Sequence, residues 1–384
     1  MRGHIVKRYD NSYTIVLNLG KDPATGKRKQ QWVSVKGTKK DAEKRMSDLI
    51  HQLDTGTFMK PGKTSLSEFL ERYLKDYVTP NLTPRTAEGY ESIMRYHVIP
   101  ALGRLTLTQL RTEHIQKFYA SLLATGMSTT TARHIHMALH RALHVGEKWG
   151  LLNRNPADAA TIPPVHRKEM QTWNEDEVNL FLDQARKGPY YALFHTALYT
   201  GMRRSELLGV TWEDVDLLMC QVRVTRGLHQ VKGKYIYTQP KTARSRRTIA
   251  LSPSTLAVLH DHRTAKEAEA LMVGKPLSDS DLVFSLPDGK PLRPNTITRA
   301  WAITAARSGV KVIRLHDARH THASLMLKQN VHPKIVQERL GHASISITLD
   351  TYSHVAPGMQ QAAANAFDVS LNIGHNNKVE EKVR

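Results

Sequence analysis

The chain of 384 residues carries 55 Lys and Arg against 35 acidic residues, a formal net charge of +20. An excess of that size concentrates polyanions around a protein, so nucleic acid is the first partner to consider, although charge alone also suits a merely soluble basic protein. A hydrophobic content of 40% supports packed cores in two or three domains, while the single cysteine, Cys220, excludes an intrachain disulfide framework and a thiolate zinc site and argues against redox chemistry.

Residues 1–8 lack the apolar core of a signal peptide, and no stretch approaches the roughly 18 apolar residues of a membrane helix. The expectation is a soluble protein of the cytoplasm or the nucleoid, with no membrane partner. Residues 1–40 are the most basic segment: Arg2, Lys7, Arg8, Lys21, Lys27, Arg28, Lys29, Lys36, Lys39 and Lys40 stand against only Asp10 and Asp22. Alternation over residues 12–17 and 31–35, with a turn cluster at 21–26 between them, predicts a small antiparallel sheet. Thr38 and Asp41 make a capping box for a following helix, on which Ala42, Met46, Leu49, Ile50 and Leu53 recur at helical spacing until Gly56. The open face of such a sheet can enter a DNA groove as a β-ribbon does, with Lys27, Arg28 and Lys29 as candidate contacts; basic residues on a small sheet also suit a solvated face.

Residues 57–64, with Pro61 and Gly62, read as a linker, and four helices are predicted beyond it. Ser65 with Glu68 caps the first, whose apolar stripe is Leu66, Phe69, Leu70, Tyr73, Leu74 and Tyr77, while Thr83 and Pro84 open the second. The third covers residues 112–125. The fourth runs from Ser128 to Trp149 and sets Arg133, His136, His140, Arg141 and His144 along one cationic face. Histidines at i and i+4 also suit a metal, but no glutamate lies among them and the flanking arginines repel a cation. A phosphate-facing helix is the better reading. Residues 155–165 break periodicity and predict a second linker, after which Asn174 and Glu177 start a new helix and a new domain.

Four separated segments of that last domain carry residues that make sense together. In Thr200-Gly201-Met202-Arg203-Arg204-Ser205-Glu206, the glycine permits a tight turn that aims Arg203 off a helix start, and Glu206 can pair with it. Residues 221–251 suggest three short strands, with a hairpin turn at Pro240-Lys241-Thr242 whose lysine can give a proton to a leaving alkoxide. In His316-Asp317-Ala318-Arg319 the His and Arg share one face at the head of a helix, an arrangement suited to an anion. Leu340-Gly341-His342 then precedes Thr351-Tyr352-Ser353-His354.

In this order and spacing, the set resembles the tyrosine recombinases of the phage-integrase family, and the likeness runs through all of the chain except its C-terminal tail. The resemblance implies a catalytic set of Arg203, Lys241, His316, Arg319, His342 and Tyr352, with no cofactor and no metal. Each residue type fits the chemistry. Two guanidinium forks suit the charge that grows on a pentavalent phosphate, which assigns Arg203 and Arg319. Tyr352, a phenol with an unperturbed pKa of about 10, needs a helper to attack, and His316 fills that part. His342 hydrogen-bonds the phosphate and Lys241 is the general acid. The family further implies a 3′-phosphotyrosyl intermediate, a Holliday junction, and four protomers acting on double-stranded DNA with core and arm attachment sites. It also implies an excisionase or a DNA-bending accessory protein. His320, His322 and His354 receive no catalytic role, only helix packing or backbone bonding.

The expected fold is multidomain α+β. A small N-terminal sheet-plus-helix domain at 1–56 binds arm sites, an all-α core-binding (SAM-like) domain spans 64–160, and a mixed, mainly helical catalytic domain with a small antiparallel sheet spans 166–384. The last two are expected to clamp duplex DNA, with Arg133, His136, His140 and Arg141 as candidate contacts. An N-terminal arm domain points to the integrase of a prophage or integrative element rather than a chromosome-dimer resolvase. The rivals are a type IB topoisomerase and a non-catalytic DNA-binding element protein.

Overall fold

The computed structural model describes residues 3–21, 26, 28–54, 63–164, 170–239, 246–352, 364–365 and 367–368. The expected linker at 57–64 therefore falls largely outside the described residues, as does most of the tail. The chain divides into two compact units, Met1–Arg167 and Lys168–Arg384.

The first unit opens with an antiparallel sheet of β1 (Gly3–Tyr9), β2 (Ser12–Lys21) and β3 (Arg28–Lys36), followed by α1 (Lys39–Asp54). Register pairs Ile5 with Ile15 and Ile15 with Val33, so these residues share a face. Ile15, Leu17 and Leu49 are buried there, and Ile5, Val33, Val35, Met46, Ile50 and Leu53 pack around them. The helix starts where the sequence put it: Asp41 accepts from the Thr38 backbone N–H at 2.8 Å, and its own N–H reaches Thr38 Oγ1 at 3.3 Å. The opposite face keeps Trp32 exposed, with the Arg8 guanidinium 5.5 Å from its ring centroid.

Four helical rods follow, as the periodicity predicts, but two of them are not continuous α-helices. The first comprises α2 (Leu66–Tyr73), a π-turn (Leu74–Val78) and α3 (Thr79–Asn81); the second comprises α4 (Pro84–Ile93), a π-turn (Met94–Val98) and α5 (Ile99–Leu102). Each π-turn sits just ahead of a proline, Pro80 or Pro100. A proline ring collides with the carbonyl four residues back and offers it no N–H, and widening the turn relieves both problems. The third and fourth rods are α6 (Thr112–Ala124) and α7 (Thr129–Lys148). The capping box of Ser65 and Glu68 is present, and Leu66, Phe69, Leu70 and Tyr73 are buried. The expected linker at 155–165 is not loose throughout: Asn155 and Ala157 are buried, and the Asn155 amide donates to the His140 carbonyl at 3.0 Å. Capping that carbonyl and filling the core with alanines holds residues 155–160 against α7, which a periodicity search cannot detect.

The second unit starts with α8 (Glu175–Ala185), capped by Asn174 and Glu177, then α9 (Tyr191–Thr200) and α10 (Arg204–Gly209). Strands β4 (Val215–Asp216), β5 (Gln221–Val224), β6 (Gly227–Val231), β7 (Lys234–Thr238) and β8 (Arg247–Ala250) come next. They form two sheets, β4-β5-β8 and β6-β7. This corrects one expectation. Residues 227–231 form a strand that a count of three omitted, because Gly227, His229 and Gln230 dilute its β-character. The expected hairpin turn at 240–242 lies outside the described residues; the strands on either side of it, β7 and β8, belong to different sheets. Helices α11 (Pro253–Met272), α12 (Pro294–Arg307), α13 (Asp317–Lys328), α14 (Pro333–Leu340) and α15 (Ile345–Tyr352) complete the unit.

Its core contains Trp173, Phe181, Phe194 and Trp301, with Trp173 and Trp301 stacked at 5.2 Å. Both indoles also donate to backbone ahead of the site, Trp173 to the Lys311 carbonyl at 2.7 Å and Trp301 to that of Ile313 at 2.9 Å. A buried indole N–H gains from a partner, and these two hydrogen bonds hold the extended stretch that leads to His316.

Candidate active site

The segment around residue 201 folds as its sequence requires. Gly201 ends α9 in the left-handed conformation, with φ of +64°, and a Cβ there would meet Leu340 at 2.7 Å and His322 at 2.9 Å. The reversal sets Arg203 at the N-cap of α10. Glu206 Oε2 accepts from the Arg203 backbone at 2.8 Å and Oε1 from its guanidinium at 2.7 Å, the pairing the spacing suggested.

His316 stands at the N-cap of α13 and Arg319 in its first turn. Arg319 is buried and donates to the Gly201 carbonyl at 2.9 Å and to the Leu340 carbonyl at 2.6 Å. Its guanidinium thereby links the Arg203 turn to the end of α14. Asp317 locks the helix start by accepting from the Arg314 backbone and guanidinium at 2.7 to 3.0 Å.

His342 follows α14. Its Nδ1 shares a hydrogen bond with Thr348 Oγ1 at 2.9 Å, and its carbonyl accepts from Gln337 at 2.7 Å. Burial first, and then the charges of Arg319 and Arg203, pull His342 down to about 4. Burial and the Arg319 charge likewise lower His316, whose ring retains an open side to solvent. Both imidazoles are therefore neutral at pH 7, able to accept a proton or donate a single hydrogen bond.

Arg203, His316, Arg319 and His342 thus converge, with His316 and His342 each lying within reach of the Arg319 and Arg203 charges, although the four come from the starts of α10 and α13 and the end of α14. Lys241 lies outside the described residues. Tyr352 closes α15, which packs against α13 and α14, but its side chain is outside the described residues. His320 stands edge-on to His316 at 5.2 Å between ring centroids, and burial followed by the His316 charge pulls it down to about 4. His322 has the backbone-bonding role expected of it, pairing through Nδ1 with the Leu198 carbonyl at 2.9 Å.

Among the other candidate contacts, Arg133 is exposed, Arg141 donates to Tyr77 Oη at 3.3 Å, and His140 Nε2 pairs with Asp158 at 2.8 Å. His136 is a correction. It is only 5% exposed and shares a 2.8 Å hydrogen bond with Tyr119 Oη, because α7 turns this position into the helical core. Arg28 is exposed on β3, Lys27 lies outside the described residues, and only the backbone of Lys29 is described.

Sequence reading missed Arg247 and Arg339. Arg247 grips Glu206 with two nitrogens at 3.2 and 2.9 Å, and Arg339 donates to the Ala250 and Tyr199 carbonyls at 2.9 and 3.0 Å. Neither sits in a spaced motif, and their partners are remote in sequence, so no local signal marks them. Two guanidinium groups, neutral imidazoles and the head of a helix together define a site for handling a phosphate ester.

The comparisons with known proteins agree. Residues 171–359 match the phage integrase family and residues 65–123 match its N-terminal SAM-like domain. The chain is 27% identical to the ICEBs1 integrase of Bacillus subtilis, covering 94% of this chain and 99% of that protein. It is also 27% identical to a XerC-like tyrosine recombinase of Caldanaerobacter subterraneus, covering 94% and 97%. Its fold matches the Tn1549 transposon integrase in complex with a circular intermediate DNA, at TM-score 0.68, 19% identity and coverage of 79% and 100%. A lambda integrase tetramer bound to a Holliday junction matches at TM-score 0.58, 19% identity and coverage of 91% and 94%. The chain belongs to the phage integrase family of tyrosine recombinases.

Proposed function

We propose that this protein integrates and excises a mobile element by cutting and rejoining duplex DNA at specific attachment sites, with Tyr352 as nucleophile. The observation that carries the reading is the convergence of Arg203 with Arg319, His316 and His342, residues more than a hundred positions further along the chain, around one cationic spot. In the cleavage step the Tyr352 phenol oxygen attacks the scissile phosphorus and passes its proton to His316. The bond from phosphorus to the 5′ oxygen breaks, and Lys241 protonates the departing oxygen. Arg203 and Arg319 stabilise the charge that gathers on the non-bridging oxygens, and His342 donates one hydrogen bond there. The linkage conserves bond energy, so a 5′-hydroxyl from a partner strand reverses the step and joins a new strand without ATP.

In this reading the sheet of β1–β3 binds arm sites, with Trp32, Arg8 and Arg28 on its exposed surfaces, and the rods α2–α7 bind the core site through Arg133, His140 and Arg141. Four protomers exchange strands through a Holliday junction, the assembly named for the lambda relative. An excisionase or a DNA-bending protein sets direction. Acting on chromosomal DNA, the protein works in the cytoplasm on the nucleoid.

The test is a nicked suicide duplex carrying the element's core site, incubated in EDTA. Wild-type protein becomes covalently attached, whereas Tyr352→Phe binds the duplex but forms no adduct. Equal attachment by the variant sinks the assignment. Relaxation of supercoils without any joining of two duplexes would favour the topoisomerase rival.

A further inference from the structure

Arg247 opens β8, and its side chain is only 6% exposed. Its Nη1 and Nη2 meet the two carboxylate oxygens of Glu206 at 3.2 and 2.9 Å, and its Nε donates to the Arg339 carbonyl at 2.7 Å. The same two oxygens receive the backbone N–H and the guanidinium of Arg203. Each oxygen of Glu206 is therefore shared between two arginines.

That sharing has a chemical consequence. A nearly buried carboxylate facing Arg203 alone would form a tight, neutral pair with it and draw the guanidinium away from a substrate phosphate. With a second guanidinium on the carboxylate, the trio retains a net positive charge, and Arg203 is oriented without being neutralised. Burial on its own would raise the Glu206 carboxyl, but the hydrogen bonds and charge of Arg247, followed by the charge of Arg203, bring it down to about 2.

The second anchor lies at α14. The Arg339 carbonyl accepts from Arg247 and the next one, that of Leu340, accepts from Arg319, so the two arginines hold successive peptides just ahead of His342. A Cβ on Gly341 would stand 3.0 Å from Arg247 Cδ, so the glycine that ends α14 also makes room for this side chain.

We propose that Arg247 is a positioning residue of the recombination reaction, holding Glu206 so that Arg203 faces the phosphate, and holding the end of α14 so that His342 does. It touches no reacting atom. The inference rests on the recombinase reading, and the experiment separates the two.

The full chain is compared as wild type, Arg247→Met, Arg247→Lys, Glu206→Gln and the Arg247→Met/Glu206→Gln pair. The probe is a nicked duplex containing the site that wild type cuts, and the readouts are Kd, thermal midpoint and the single-turnover rate of covalent attachment. Both Arg247 variants should bind with unchanged Kd and attach roughly 100-fold more slowly, the scale of a misplaced catalytic group. The double variant should be slower than Glu206→Gln by much less than the full Arg247→Met deficit, because one of the two anchors of Arg247 is that carboxylate. A duplex with a neutral methylphosphonate at the scissile position makes less demand on Arg203, so the variants should recover most of their deficit on it. If Arg247→Met melts below the assay temperature, Arg247→Lys carries the same comparison. Wild-type-like attachment by folded variants, or additive losses without methylphosphonate recovery, overturns the proposal. Failure of wild type to attach at all overturns the recombinase reading instead.

Discussion

The guanidinium of Arg319 donates to the carbonyl of Gly201 at 2.9 Å, across 118 positions of sequence. This bond needs the turn at Gly201, whose φ of +64° and tight packing against Leu340 and His322 leave no room for a side chain. Gly201→Ala is expected to lose at least the roughly 1–2 kcal/mol of a left-handed residue, plus the cost of displacing Leu340. Denaturant titration measures that loss, and suicide-duplex attachment measures the fall in activity expected when Arg319 loses its carbonyl partner. A variant as stable and active as wild type would refute the turn's role.

Lys241 is tested by the leaving group. Lys241→Ala should slow cleavage by about 10²–10⁴-fold, the usual contribution of a general acid. A substrate whose 5′ bridging oxygen is replaced by sulfur departs as a thiolate and needs no proton, so the same variant should cut it near the wild-type rate. An equal deficit on both substrates would remove the lysine from that step.

Stability should fall on the acid side of neutrality. His195 is buried, stacks on Tyr199 at 4.1 Å, and its Nδ1 has no partner among the described residues. Burial, and then the Arg186 charge, pull it down to about 4. Because the folded pKa is depressed, the unfolded chain binds the extra proton as pH falls below its ordinary 6.5, and folding stability is lost from there down to about 4. His195 contributes at most on the order of 3 kcal/mol to that slope. His195→Phe, which preserves the stack, should flatten it in urea titrations at stepped pH; an unchanged slope would show the ring is not the titrating group.

Binding to duplex DNA should weaken steeply with salt, since each phosphate contact releases counterions. Within that, Trp32→Ala removes an exposed ring and the Arg8 stack upon it, and should weaken arm-site binding by roughly 1–3 kcal/mol while leaving core-site cleavage intact. A flat salt dependence, or equal loss at both sites, would count against a separate arm-binding sheet.

Much of this protein is legible along the chain. Caps at Thr38, Ser65 and Asn174 start their helices as expected, because a cap is a contact over three residues and leaves a local signature. The same holds for Arg203 with Glu206, and for His316 with Arg319 on one helix face. Sequence also proposes which residues make the site, since phosphate chemistry needs particular groups and their spacing is readable as a motif. What required tertiary structure was every decision made by a distant partner. His136 looks like part of a cationic stripe until Tyr119 claims it for the core. Arg247 looks like one of a run of basic residues until Glu206, 41 positions away, takes two of its nitrogens. A hydrogen bond to a remote carbonyl or carboxylate imposes no period on the chain, so which cations face solvent, which hold the site and which await substrate is settled only by the packed fold.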